Sequence, residues 1–481
     1  MESGIASSRT IHHQGKGSSM IYRVCWSTVF LFFGMTVQAQ EPVKIGSRLE
    51  PLVDDYLIEK MSGDVKLQLH KPEPQEVVLV TSHPWEGNTC AYYTLFQDGD
   101  LFRMYYRGSH HDEKTKRSAH REVTCYAESK DGIHWTKPKL GLFEFNGSKD
   151  NNIVWDGPGT HNFTPFKDAN PNAPKNSRYK ALGAGYGKYK RGLWAFQSAD
   201  GIHWKVMKDG PVITKGAFDS QNLAFWDSHT KIYREFHRTF RGVRDIQTGT
   251  SKDFLHWTDP VFLEYPGASK EHLYTNTIRP YPRAPHLLIG FPTRYNAKTQ
   301  QVEPIFMTSR DAKTFHRSKE EVIPITAPKE RDGNRSNYMT YGVLQLPGKQ
   351  KELSVYATEA YYAGPDSRVR RFTYRLDGFV SARAGEEGGE LITKPILFTG
   401  NQLVLNFETG KKGNIRVELQ DVKGRPIPGF SLAEAKGMAG DSIEQAVTWR
   451  KGRDVSSLAG VAVRIRIVLT EADLYSFRFH N

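Results

Sequence analysis

Apolar and polar residues alternate over short stretches, as in LFRMYYR (101–107) and IRVELQDV (415–422), and few stretches carry a helical period. A period of two marks a strand with one buried face, so the pattern predicts an all-β chain. Between about residues 50 and 378 the strands recur as a unit. An apolar strand comes first, then a turn often built on Asp-Gly, an aromatic-rich strand, a third strand, and a Ser-x-Asp turn ending in an aromatic. That turn reads SKDGIHW (129–135), SADGIHW (198–204), SKDFLHW (251–257) and SRDAKTF (309–315). A fifth unit (338–378) lacks it. Repeats of this length predict a propeller, and five units predict five blades. The Asp carboxylate can accept backbone N–H bonds from the residues that follow, closing a tight loop. The Trp then packs between neighbouring sheets, so these turns are read as structural.

After DGFVSARAG (377–385) the aromatic turns stop while the alternation continues, in LVLNFETG, VAVRIRIVL and YSFRFHN. A separate β-sandwich is predicted there. The fold class is thus a five-bladed β-propeller over 40–378 followed by a C-terminal β-sandwich over 379–481. Residues 1–39 are set aside as a secretory leader with Met20 as its start. MIYR gives a basic end, VCWSTVFLFFGMTV (24–37) an apolar core, and Ala39 a small residue at the cut. That core is shorter than the roughly 20 residues of a bilayer span. The mature chain is expected to be secreted or periplasmic, without a stable membrane anchor.

Composition adds three constraints. Three cysteines occur, Cys25 leaves with the leader, and Cys90 and Cys125 remain on different strands of one unit. Export permits a disulfide, but two free buried thiols are the expectation. The net charge is +13; a basic exported protein could bind nucleic acid, but no arginine-rich run or recognition motif supports that. An acidic or sulfated glycan, or an anionic cell surface, is the more economical partner. No cofactor is implied, and no metal-ligand spacing, phosphate loop or Ser-His-Asp arrangement stands out.

The SKDFLHW turn (251–257) resembles the recurring Ser-x-Asp-Leu-x-His-Trp of the five-bladed propeller glycosidases, the invertase/levanase and arabinanase/xylosidase superfamily. A propeller followed by a β-sandwich is similar to the invertase branch. The resemblance spans roughly residues 80–480 and implies three acids pointing into a central funnel from the innermost strands. One would act as nucleophile or base, one as general acid, and one would hold the sugar. An oxocarbenium-like transition state needs a protonated leaving oxygen on one face and a carboxylate on the other. Crowded carboxylates raise one pKa so that it keeps its proton. A structural calcium in the funnel occurs in such folds, but no sequence feature supports one here.

The acids at the unit openings are then the candidates. Glu86 in HPWEGNTC stands where the invertase Trp-x-Asn-Asp-Pro-Asn-Gly carries an Asp. Asp168, or His161 as a neutral base, opens unit two in HNFTPFKDANP. Asp219 in AFDSQ resembles the family's Arg-Asp-Pro. Glu271 in KEHLYTN takes the general-acid place. Unit five offers Arg335 and Tyr338 instead of an acid, and Asp54 and Asp55 could reach the funnel from the chain's first strand. Trp85, Tyr106, Tyr274, Tyr338 and Tyr341 offer flat faces for pyranose C–H groups, though blades also need aromatics as filling. Arg107, Arg279, Arg294 and Arg335 could pair with carboxylate or sulfate. The expectation is an exported glycoside hydrolase, exo-acting in a funnel closed at one end. A non-catalytic glycan-binding propeller is the alternative, motivated by the departures from the family pattern at Glu86 and Asp219. A structural protein of a cell-surface assembly would carry no acid cluster in the funnel.

Overall fold

The computed structural model describes residues 41–323 and 337–481, together with His12. The leader segment and Arg335 lie outside the described residues.

Five antiparallel sheets follow one another along the chain. The first contains Ala91–Asp98, Leu101–Gly108, Val123–Ser129 and Trp135–Thr136, with Ile153–Trp155 added beside Val123–Ser129. The second is Thr164–Lys167, Tyr179–Gly185, Gly192–Ser198 and Trp204–Val206. The third is Leu223–Asp227, Ile232–Phe240, Arg244–Ser251 and Val261–Phe262. The fourth runs Arg279–Tyr281, Ala284–Gly290 and Val302–Ser309, with His316–Glu321 outside. In the fifth, residues 339–344 bridge to Glu352–Glu359, which pairs with Arg368–Arg375. The chain is a five-bladed β-propeller.

The fifth sheet explains why its unit has no terminal turn. Its outer strand, Glu73–Val80, arrives from the other end of the chain and pairs antiparallel with Arg368–Arg375. Arg371 clamps it with a forked bond to Glu76, at 2.9 Å and 3.2 Å. On the inside, Tyr341 N–H donates to Tyr93 O and Leu95 N–H to Tyr341 O, both at 2.8 Å. The ring therefore closes through hydrogen bonds between the two ends of the propeller.

Each Ser-x-Asp turn closes as its sequence suggests. Asp131 accepts the N–H of Ile133 and of His134 at 2.9 and 2.8 Å, and its second oxygen meets His134 Nδ1 at 2.7 Å. Asp200 and Asp253 repeat this arrangement. Burial pushes these carboxyls up, but the bonds from His134, His203 and His256 and from the backbone outweigh it. All three are held well below the usual carboxylate range. The residue after each Asp is left-handed, and it is Gly132, Gly201, Phe254 and Ala312 in turn. The turn's carbonyl then docks the preceding blade, accepting from Tyr356 at Gly132 and from Tyr105 at Gly201. Trp204 fills the gap beside it, edge-on to Phe163 and Tyr105.

The second body of strands is built from both ends of the chain. Gly389–Thr393 and Val380–Ala384 flank the long strand Arg464–His480, which also pairs with Gln402–Gln420. Ile58–Gly63 and Lys66–Leu69 extend this sheet, and Val43–Gly46 lies parallel to Ile396–Phe398. Residues 43–69, expected within the propeller, are therefore hydrogen bonded into the C-terminal β-layer. Its core includes fully buried Trp449 and the stacked pair Phe398 and Phe479, 3.7 Å apart. Asp54 does not reach the funnel: with Glu50 it grips Arg310 of the fourth turn, at 2.8 and 3.0 Å. Asp55 is exposed. Cys90 and Cys125 are both free and buried, and burial pushes the Cys90 thiol up to about 12.

Candidate functional site

The inner strand of every blade starts at one mouth of the ring and ends at the other. Tyr92, His161, Asp219, Tyr274 and Tyr338 stand at the starts. Asparagines and a serine tie these starts together. Asn162 donates to Phe218 O and Ser220 O at 2.5 and 2.6 Å, and Ser220 Oγ donates to Tyr274 O at 2.5 Å. Gln221 reaches Tyr93 O at 3.2 Å. The mouth holds a cavity of about 190 Å³ walled chiefly by Tyr92, Tyr274, Tyr295, Tyr338 and Tyr361, with Arg244 beside them. The rings interlock edge to face or tilted: Tyr274 lies 5.8 Å from Tyr338 and 5.6 Å from Tyr295, and Tyr338 lies 5.6 Å from Tyr361.

Two carboxylates border this wall. Asp219 pairs with buried Arg238 yet keeps 55% of its side chain exposed. Its backbone carbonyl accepts the Tyr92 hydroxyl at 3.0 Å. Glu122 lies 2.9 Å from His161 Nδ1 and 3.5 Å from Arg107. Burial pushes Glu122 up, but the His161 bond and the Arg107 charge outweigh it and hold it at about 2. Arg107 also donates to Thr89 O and the Tyr361 hydroxyl, and sits 5.0 Å over the Tyr92 ring. Tyr92 itself is left-handed (φ 56°), a costly conformation for a bulky residue, and its ring lies 5.6 Å from that of His161. Burial lifts the Tyr92 and Tyr361 phenols above the usual range, so both keep their protons.

The structure thus gathers Asp219, His161, Arg107, Tyr274 and Tyr338. It places the other sequence candidates elsewhere. Glu86 is 1% exposed inside blade one. It is bound by the Tyr106 hydroxyl at 2.5 Å, Lys137 at 2.7 Å and the N–H of His83 at 3.1 Å. Asp168 lies at the far end of its inner strand, its carboxylate buried against Lys180 at 2.5 Å and Tyr233 at 2.6 Å. Arg279 and Tyr341 line the cavity at that opposite mouth. Glu271 faces outward between blades three and four, near Arg294 and Arg317 at 3.4 and 3.6 Å. Arg294 is taken up by Glu303. Trp85 donates to Asn152 at 2.6 Å and stacks on His83.

Glu122, Arg238 and Arg244 were not among the sequence candidates. They lie at or beside the mouth ends of second and third strands, away from the inner-strand openings that the family resemblance singles out. Among the described residues no group of three or more His, Cys, Asp or Glu side chains is placed to hold a metal ion. None of their helices is long and apolar enough to cross a membrane.

Strand pairing makes the molecule a five-bladed β-propeller with a β-layer built from both chain ends. No protein-family model and no curated protein matches the sequence. Similar solved structures include a β-1,2-mannobiose phosphorylase from Listeria innocua, at 13% identity and TM-score 0.46, covering 64% of this chain and 97% of that one. An N-acetylgalactosamine deacetylase from F. plautii gives 10% identity and TM-score 0.44, over 66% of this chain and 97% of that one. An endo-arabinase from Bacteroides thetaiotaomicron gives 11% and 0.40, over 63% and 99%.

Proposed function

We propose that the protein takes the end of a saccharide into the tyrosine-walled mouth and cleaves its glycosidic bond there, with Asp219 as the acting carboxylate. The observation that carries this reading is the half-exposed Asp219 beside a cavity walled by tyrosines. Ring faces take the C–H side of a pyranose, and phenol hydroxyls meet its oxygens. The small cavity favours one terminal sugar, since sites enclosing larger ligands run to about 300–1,000 Å³. Acetal cleavage needs a proton for the leaving oxygen as well as a carboxylate. We assign that proton to His161, which is held by ionised Glu122. Export through the leader at residues 1–39 belongs to the same reading and fits an environmental polysaccharide.

A second reading, glycan binding without cleavage, is favoured by one feature. Among the described residues the cavity wall itself carries no carboxylate, and Asp219 and Glu122 are each beside an arginine. Reducing-end release across neutral, uronic and sulfated polysaccharides separates the two. Cleavage predicts release that falls about a hundredfold or more in Asp219→Asn and in His161→Ala, with each variant shown by its melt to be folded at the assay temperature. Saccharide binding without release from any substrate selects the second reading.

A further inference from the structure

We propose that the mouth selects a saccharide bearing an anionic oxygen group, carboxylate or sulfate, and that Arg244 binds that group. This rests on the reading of the mouth as a saccharide site and names the class of saccharide.

Arg244 differs from the arginines around it. Arg238 has Asp219, Arg107 has Glu122, Arg241 has Asp245, and Arg294 has Glu303. Among the described residues no carboxylate lies within 4.0 Å of Arg244, although it lines the cavity. Its Nε is buried without a hydrogen-bond partner among the described residues. Among the described residues its one side-chain hydrogen bond, from Nη1, is a long one to His272 Nδ1 at 3.4 Å, an atom that already accepts the Arg244 backbone N–H at 3.1 Å. Aromatic faces hold the guanidinium instead, with Tyr295 at 4.7 Å and Tyr274 and Phe240 at 5.7 Å. Burial, reinforced by the Arg244 and Arg238 charges, pushes His272 down, and an imidazole, neutral or cationic, supplies no negative charge.

A guanidinium beside a cavity with no counter-charge is costly to keep unless something else meets its donors. Its planar fork matches the two oxygens of a carboxylate, or two of a sulfate. Two of the three rings that hold Arg244, Tyr274 and Tyr295, also wall the cavity. A sugar resting on Tyr274 and Tyr295 would therefore bring a substituent such as a C6 carboxylate or a sulfate ester to the fork. Gln221, on the same wall, adds a neutral amide for the hydroxyls.

The test is calorimetric titration of the full chain with three saccharides of one backbone, ending in a neutral hexose, the corresponding uronate, or the sulfated hexose. Wild type, Arg244→Met and Arg244→Lys are compared. We expect one charged end to bind at least tenfold tighter than the neutral end, Arg244→Met to erase that preference, and Arg244→Lys to restore part of it. The uronate and sulfate arms tell which group is read. Equal affinity for charged and neutral ends overturns the inference and leaves the saccharide reading standing, as does a preference that survives Arg244→Met. The wild-type comparison decides this even if a variant folds poorly. Failure of all three to bind would bring down both.

Discussion

Asp168→Asn separates a structural acid from a catalytic one. The carboxylate is fully buried and accepts from Lys180 Nζ at 2.5 Å, the Tyr233 hydroxyl at 2.6 Å and the Asn170 N–H at 2.9 Å. Lys180 is itself only 3% exposed, and its remaining bond goes to Ser177 O at 3.0 Å. The substitution keeps the shape but leaves an ammonium buried without its counter-charge. Breaking one partner of a buried pair costs about 3–5 kcal/mol, and losing bonds to a charged group at about 1.5–3 kcal/mol each gives the same scale. Each kcal/mol lowers Tm by roughly 2–4 °C in a domain of 150–250 residues, so a drop of several degrees is expected. Calorimetry reads it, with saccharide binding at the mouth measured in parallel and unchanged below the transition. The double variant Asp168→Leu/Lys180→Met removes both charges and should recover most of the loss. An unchanged Tm together with lost turnover would refute this reasoning and return Asp168 to the site.

Three further outcomes follow from the same geometry. Gly132→Ala should cost about 1–3 kcal/mol, because φ is +73° and a Cβ would stand 2.4 Å from Leu346 Cδ2; a melt unchanged from wild type would count against the turn's clamping role. Glu122 is held at about 2 against its ordinary 4.5, so its stabilisation is full above about pH 4.5 and fades as pH falls towards 2. The Tm gap between wild type and Glu122→Gln should therefore shrink over that window, and a gap equal at pH 2 and pH 6 would contradict the pairing with His161 and Arg107. Tyr105→Phe should cost about 0.5–1.5 kcal/mol, by orphaning the Gly201 carbonyl between blades one and two. Denaturant titration that finds no loss would remove that contact from the account.

Much of the ring was legible because its punctuation is local. An Asp, the two N–H groups it accepts and the Trp behind it sit within seven residues, so SKDGIHW and SADGIHW announce a blade edge unaided. What sequence could not reveal is pairing between distant segments. Nothing local in Glu73–Val80 or in residues 43–69 names a partner, yet the first completes blade five and the second joins the C-terminal β-layer. The site divides along the same line. Asp219, His161, Tyr274 and Tyr338 gather because an inner-strand start is a sequence position, whereas a carboxylate's partner is not. Glu86 found Lys137, 51 residues on, and Asp168 found Tyr233, 65 residues on. Those pairings turned two plausible catalysts into buried struts. Glu122 and Arg244 escaped notice because nothing near them in sequence says that their strand ends return to the mouth.

The most direct test of the central claim is a crystal structure of the Asp219→Asn variant soaked with a saccharide that the wild type cleaves. The account predicts a sugar ring against Tyr274 and Tyr338, with its glycosidic oxygen between residue 219 and His161. A sugar found instead at the opposite mouth beside Asp168 and Arg279, or in the outer groove at Glu271, with the tyrosine mouth empty, would contradict it.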